Sequence, residues 1–312
     1  MEQLGKRIKN KAKDLGFHSC GFAKAEPLTD DTLFLEQWLA AGKHGKMHFL
    51  EKNPEKRTNP GKLLQGAKTV ISLIYNYYTD EKQNPQCTYK ISRYAYGQDY
   101  HTIIRKKLQK LSAFIAKEMQ TEPPPFFVDS GQILEKKWAS KCGLGWIGKN
   151  TLLINPKIGS FIFLAEIVIR HELPYDEAID DQCGNCTKCM EACPTGALNT
   201  QNPYTLDARK CISYQSIEQK DGVDFQFSKD NKEWIFGCDI CQNICPYNTP
   251  VKLENSESVR INPLIKSFTD KQWEELTEEV FEQAFCGSTI FRRSYNRLMK
   301  NIELVKNNQR RS

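Results

Sequence analysis

Leu4, Ile8 and Leu15 fall on one face of residues 2–15 and predict an amphipathic helix at the start of the chain. HSCGFAKA then reads as a strand. DTLFLEQWLAAG reads as a second helix, entered after the cap candidates Asp30 and Asp31 and closed at Gly42. KTVISLIYNYY, residues 68–78, is dense in β-branched and aromatic side chains and predicts a buried strand. Over residues 100–119 the period returns to helical, with Ile104, Leu108, Leu111 and Ile115 on one face. Arg105, Lys106, Lys107 and Lys110 lie on its other faces as a solvated surface. Pro123, Pro124 and Pro125 stop that helix, and FFV begins a short strand. TLLI and SFIFLAEIVI predict two further strands joined by the turn-like NPKIG. Near the far end DKQWEELTEEVFEQAF is the clearest helix of a helical C-terminal segment. The order predicts a sheet flanked by helices, an α+β chain.

Length adds a division: 312 residues suggest two domains, or one large domain with an insert. Composition (39% hydrophobic, 26% charged) is that of a soluble globular protein able to form a core. No apolar run approaches a membrane span, and MEQLGKRIKNKAKDLG lacks a signal-peptide core, so a cytoplasmic protein with no membrane partner is expected. Twelve cysteines in that compartment argue for metal or redox chemistry over a disulfide framework. Residues 288–312 carry seven Lys/Arg and one Glu, an excess as large as the net +6 of the whole chain. That tail is either a solvated end or a surface for nucleic-acid phosphates.

The cysteines are not scattered. CGNCTKCMEACPTGAL places Cys183, Cys186, Cys189 and Cys193 in the spacing C-x2-C-x2-C-x3-C, followed by Pro194. In the bacterial ferredoxin run three such cysteines cap one cubane and the fourth serves another cluster. A second set is therefore required, and GCDICQNICPYN supplies Cys238, Cys241 and Cys245, again followed by a proline. Cys211, in KCISY, replaces the missing first cysteine. The crossed arrangement gives one [4Fe–4S] cluster to Cys183, Cys186, Cys189 and Cys245, and the other to Cys193, Cys211, Cys238 and Cys241. A zinc ribbon is the competing reading, which four cysteines in one run with Cys-Pro after each set fit poorly. Cys20, Cys87, Cys142 and Cys286 read as small packing residues. Two adjacent clusters conduct electrons, but what they reduce must be found in the preceding residues.

There, VDSGQILEKKWASKCGLGWIGKNTLLI (residues 128–154) is rich in glycine, which suits tight turns and close approach to a bound group. Asp129 follows a predicted strand, as a working carboxylate often does; an Asp before Ser is also a common helix cap. Neither a GxGxxG motif nor a P-loop is present. This block, followed by GSFIFLAEI, the two cysteine sets and KCISY, resembles the epoxyqueuosine reductase family. So do EKRTNP, SRYAYGQDYH and FRRSYNRLMKN, and the resemblance runs through nearly the whole chain.

The resemblance implies reduction of epoxyqueuosine to queuosine at the wobble position of certain tRNAs, using cobalamin and two [4Fe–4S] clusters. It implies a nitroreductase-like cobalamin-binding domain over residues 1–175, a ferredoxin-like domain over 176–255 and a helical segment with a basic tail over 256–312. Asp129 matches the family's proton donor. Arg57, Leu153, Asn155, Leu164, Ser213, Cys238 and Asp239 match positions that contact the corrinoid, as Asp129 does. Many members continue into a helical-repeat extension, and this chain stops at Ser312; the basic Arg292, Arg293, Arg297 and Lys300 would then meet the tRNA. An external low-potential electron donor is also implied. The alternatives are a reductive dehalogenase-like corrinoid protein, a two-cluster electron carrier without a substrate site, and a tRNA-binding protein with structural clusters.

Overall fold

The computed structural model describes residues 1–219, 228–249 and 259–311. The chain forms two compact units, and it enters each of them more than once. The first comprises residues 1–42, 48–76 and 101–186; the second comprises 43–47, 77–100 and 187–312.

The first unit is built on a four-stranded antiparallel sheet. Its strands lie in the order Ser19–Lys24, Thr69–Asn76, Ile162–Ile169, Phe126–Phe127. The second of these is buried along its whole length, as its β-branched run predicts. Side chains alternate across it. Val70 and Ile74 face an apolar cluster with Leu164 and Val168 of the neighbouring strand and with Trp138, Ala139, Cys142 and Leu153. On the other face Tyr75 meets Phe17 edge to face, with ring centroids 6.4 Å apart. The helix Tyr100–Met119 has the predicted bounds and buries Ile104, Leu108, Leu111 and Ile115. The helix predicted after Asp30 and Asp31 begins earlier, at Thr29, which places both carboxylates in its first turn, where they oppose the helix dipole. TLLI does not join the main sheet. Leu153–Ile154 pairs with Trp146–Ile147 in a separate hairpin. Gly145 permits that approach: its φ is +155°, and a Cβ there would lie 2.2 Å from the Ile154 carbonyl oxygen.

The second unit gathers Tyr89, Ile91, Phe236, Trp273, Phe281, Phe285, Leu298, Ile302 and Val305 into its own core. Within it Lys90–Ile91 pairs in parallel with Trp234–Phe236. The predicted helix DKQWEELTEEVFEQAF is two helices, Asp270–Glu274 and Glu278–Phe285. Thr269 and Thr277 each accept a backbone N–H at a helix start, and Leu276 between the two helices is buried. An N-cap is worth about 1 kcal/mol, so a second cap offsets the interrupted ladder. Among the described residues no helix is long and apolar enough to cross a membrane.

Candidate active site and cluster ligands

Asp129 stands two residues beyond the strand Phe126–Phe127, in a backbone conformation with φ +54°. Left-handed backbone at a non-glycine residue costs of order 1 kcal/mol or more and persists only where surrounding contacts impose it. Three such contacts are present. The Ser130 N–H donates to the Val128 carbonyl at 2.7 Å, closing a tight turn about Asp129. The Asp129 N–H donates to Glu135 Oε1 at 2.5 Å. Asp129 Oδ2 lies 2.8 Å from Nε2 of His101, at the start of the helix Tyr100–Met119. His101 is largely enclosed, whereas the Asp129 side chain is 54% exposed and can be reached by a reactant.

More carboxyls lie behind it. Burial, then the neighbouring Asp129 charge, push the Glu135 carboxyl up to about 8. Glu166 sits mid-strand, fully buried, opposite Ser72. Ser72 Oγ donates to its Oε1 at 3.1 Å, while its Oε2 has no partner among the described residues. Burial first, and Glu135 second, hold the Glu166 carboxyl well above the ordinary range. The first unit thus carries two buried glutamates, Glu135 and Glu166, that favour their protonated forms, with the half-exposed Asp129 next to Glu135.

Arg57 ends the short helix Pro54–Thr58 and is buried. Its Nη2 donates to the Phe49 carbonyl at 2.7 Å, its carbonyl accepts the Leu134 N–H at 3.1 Å, and its Nε has no partner among the described residues. An unspent, buried guanidinium N–H is a donor waiting for an acceptor. Leu153 and Leu164 are buried in the apolar cluster. The Asn155 side chain is committed to its own loop: Nδ2 donates to the Leu144 carbonyl at 2.7 Å, and Oδ1 accepts the N–H groups of Lys157 and Ile158. In the second unit Ser213 lies in the helix Ile212–Ile217. Asp239 is buried, accepts the Ser92 hydroxyl on Oδ1 and takes the Arg93 N–H on Oδ2 at 2.8 Å.

The cysteines are carried by turns and very short helices. The Cys186 N–H closes on the Cys183 carbonyl at 2.9 Å. Lys149, from the glycine-rich hairpin, donates to the carbonyls of Gly184 and Cys186 and pins that turn. Cys189 lies in the helix Lys188–Glu191 and Cys241 in the helix Ile240–Asn243, and these two helices pack together. Burial, then Cys238 and Cys211, raise the Cys241 thiol, with a smaller contribution from Cys189. Burial raises Cys238 to about 12, with Cys211 and Cys193 adding to it. Cys193 and Cys211 act on Cys238, Cys238 and Cys211 on Cys241, and Cys189 on Cys241 too, so these sulfurs are gathered in one region, as metal ligands are. The boundary between the units falls between Cys186 and Thr187, so Cys183 and Cys186 belong to the first, Cys189 and Cys245 to the second. Cys142 is buried, its thiol 3.5 Å from the Val70 carbonyl, a packing residue as expected.

The basic tail is more engaged than its composition suggests. Arg297 is buried and its Nη2 donates to the Gln215 carbonyl at 2.5 Å, so it serves the second unit's interior and cannot offer itself to a phosphate. Arg292 lies 3.4 Å from Asp99 and Arg293 2.6 Å from Glu218, both exposed; Lys300 is half-buried. An open groove of about 810 Å³ lies along the last helix, its cations Arg209, Lys210, Lys229 and Arg311.

His101, Glu135 and Lys149 were not singled out by sequence reasoning. His101 lies in SRYAYGQDYH and the other two in the glycine-rich block, so the motifs held them, but no spacing rule marked them as partners.

The family described as epoxyqueuosine reductase QueG, DUF1730, matches residues 57–130, and a 4Fe-4S double cluster binding domain matches residues 182–248. The chain is similar to the epoxyqueuosine reductase of Leadbetterella byssophila, 44% identical over 98% of this chain and 99% of the relative. Its fold is similar to that of an epoxyqueuosine reductase solved with an epoxyqueuosine-modified tRNA-Tyr stem loop: TM-score 0.88, 29% identity, 97% of this chain and 80% of that one. It is also similar to the Bacillus subtilis enzyme solved with its catalytic aspartate loop swung out of the active site: TM-score 0.85, 28% identity, 97% and 81% coverage.

Proposed function

The chain belongs to the epoxyqueuosine reductase family, and we infer that it reduces epoxyqueuosine in tRNA to queuosine with Asp129 as the proton donor. The single observation that carries the residue assignment is the half-exposed Asp129 carboxyl, held beside His101 by a strained backbone. The reaction turns an epoxide into an alkene and releases the oxygen as water, so it consumes two electrons and two protons. No side chain supplies electrons at low potential, and 4Fe–4S clusters, the groups the matched double cluster domain binds, carry them singly.

Cobalamin fits the residues in part. The buried Arg57 Nε–H suits an amide or phosphate oxygen of a corrinoid. Leu153 and Leu164 offer apolar surface, while Asn155 shapes its own loop, with its side chain, backbone N–H and carbonyl all hydrogen-bonded there. Ser213, Cys238 and Asp239 are the second unit's candidates for the same group, and they adjoin cluster ligands in sequence. When bound, cobalamin would supply the low-valent cobalt that delivers electrons to the substrate carbon. The chain's own part is protonic. As the epoxide C–O bond breaks, its oxygen gains negative charge, and a carboxylic acid within reach neutralises it, commonly worth about 10²–10⁴ in rate. Like charge makes it costly to ionise both carboxyls together, and Glu135 is the one held up, to about 8.

The clusters are read as Cys183, Cys186, Cys189 and Cys245 for one, and Cys193, Cys211, Cys238 and Cys241 for the other. The influence of Cys193 and Cys211 on Cys238, and of Cys238 and Cys211 on Cys241, supports the second set. The partner is tRNA, and an external low-potential donor supplies the electrons. Lys300 and the groove cations Lys210, Lys229 and Arg311 are suited to phosphates, Arg209 being held by Asp207; Arg292 and Arg293 would exchange Asp99 and Glu218 for phosphates, and Arg297 holds the Gln215 carbonyl.

The test is anaerobic turnover. Protein with both clusters, added cobalamin and a strong reductant should convert an epoxyqueuosine-modified tRNA stem loop to queuosine, and omission of cobalamin should abolish conversion. Equal conversion without cobalamin would overturn the cofactor reading, and none under any condition would overturn the activity.

A further inference from the structure

We propose that Glu135 is a positioning residue: by accepting the Asp129 backbone N–H it latches residues 128–134 so that the Asp129 carboxyl stays beside His101. This deepens the reading of Asp129 as proton donor and rests on it.

The loop needs such a hold. Asp129 sits at φ +54°, a conformation that an unrestrained aspartate leaves readily. The turn around it is closed by the Ser130 N–H to the Val128 carbonyl, a bond within the loop that travels with it. At its far end the loop is tied by the Leu134 N–H to the Arg57 carbonyl. Glu135 supplies a hold of another kind, because its side chain comes from outside the loop. It opens the helix Glu135–Lys141, whose Trp138 and Ala139 are completely buried in the sheet's apolar cluster. The anchor is therefore rigid, and its Oε1 reaches back to the Asp129 N–H at 2.5 Å. The carbonyl oxygen of a carboxyl group accepts a backbone N–H in its protonated form too, so the raised Glu135 keeps its grip.

The arrangement also separates two tasks. Glu135 grips the main chain of Asp129 and leaves its carboxyl to His101, so the loop can be held without consuming the reactive group. A glutamine at 135 would keep an acceptor oxygen at the same reach; an alanine would remove it. A structural glutamate that merely caps its own helix would not distinguish these substitutions by the behaviour of a loop that precedes it.

Hydrogen exchange by mass spectrometry on the full chain, with its clusters, reads the latch directly. In Glu135→Ala, exchange across residues 128–134 should rise about tenfold or more, while Glu135→Gln stays within about threefold of the parent. Peptides from residues 104–115, in the long helix, should be unchanged in both. Where Glu135→Ala does not yield folded protein, Glu135→Asp, which retracts the acceptor by one methylene, takes its place with the same expected rise. Unchanged loop exchange in the variant lacking the acceptor, or a glutamine variant as mobile as the alanine one, overturns the proposal. Asp129→Asn keeps the N–H and should show parental loop exchange. Normal turnover by that variant would defeat the acid reading, whereas the latch is judged on exchange alone.

Discussion

In the first unit the Asp129 carboxyl sits on an irregular loop, and the helix that follows the loop packs into the sheet's apolar cluster. The strand Thr69–Asn76 is buried end to end, and the helix that carries Glu135 is anchored by Trp138. In the second unit the cysteines sit on helices of four residues and on turns, and the aromatic core around Trp273 and Phe285 draws on residues outside the cysteine runs. A helix of one turn is not stable by itself. The two regions thus organise their chemistry differently. One holds a strained residue with pre-formed packing. The other gathers thiols in one region and leaves a metal to complete the structure.

The largest expected effect follows from that difference. Cys241→Ala should lower iron from about eight to about four atoms per chain and abolish turnover. Exchange protection should be lost around residues 186–193 and 238–245 but retained in Thr69–Asn76 and Ile162–Ile169. Equal loss in both regions would mean that the sheet too depends on the clusters. Full iron retention would remove Cys241 from the ligand set.

A smaller effect belongs to the sheet-bearing unit. Glu135 keeps its proton up to about pH 8, and burial raises Glu166 as well. An unfolded glutamate releases its proton near pH 4.3. Between those values the native state binds more protons than the unfolded chain, so stability falls as pH rises through that window. The melting temperature should accordingly decline from about pH 4.5 to about pH 8. Glu135→Gln should flatten part of that decline, and an unaltered slope would show that Glu135 ionises as an ordinary surface group.

How much of this could be read in the sequence divides along the same line. The cysteine runs are legible because ligand spacing is a local property, and a 4Fe-4S double cluster binding domain matches the residues that hold them. The helix Tyr100–Met119 is legible because its apolar face and the prolines beyond it are local too. Asp129 was visible through its motif. Its partners were not: His101 is 28 residues away, and nothing in the chain between them records the contact. The return of residues 77–100 to the second unit, where Tyr89 and Ile91 enter the core, also leaves no periodic signal. Arg297 read as a surface cation because composition counts charge, whereas its burial depends on a carbonyl 82 positions earlier. The break between Asp270–Glu274 and Glu278–Phe285 lies in a run of good helix formers, and tertiary burial of Leu276 with a Thr277 cap overrides their propensity.

The central claim is that Asp129 delivers a proton to the substrate, and the isosteric Asp129→Asn variant tests it most directly. Single-turnover conversion of an epoxyqueuosine-modified stem loop, under strong reductant and with cobalamin bound, should fall by about two to four orders of magnitude. Its melting curve should move by no more than about 1 kcal/mol of stability, the scale of a lost cap. Near-parental conversion by a stably folded Asp129→Asn protein would contradict the account.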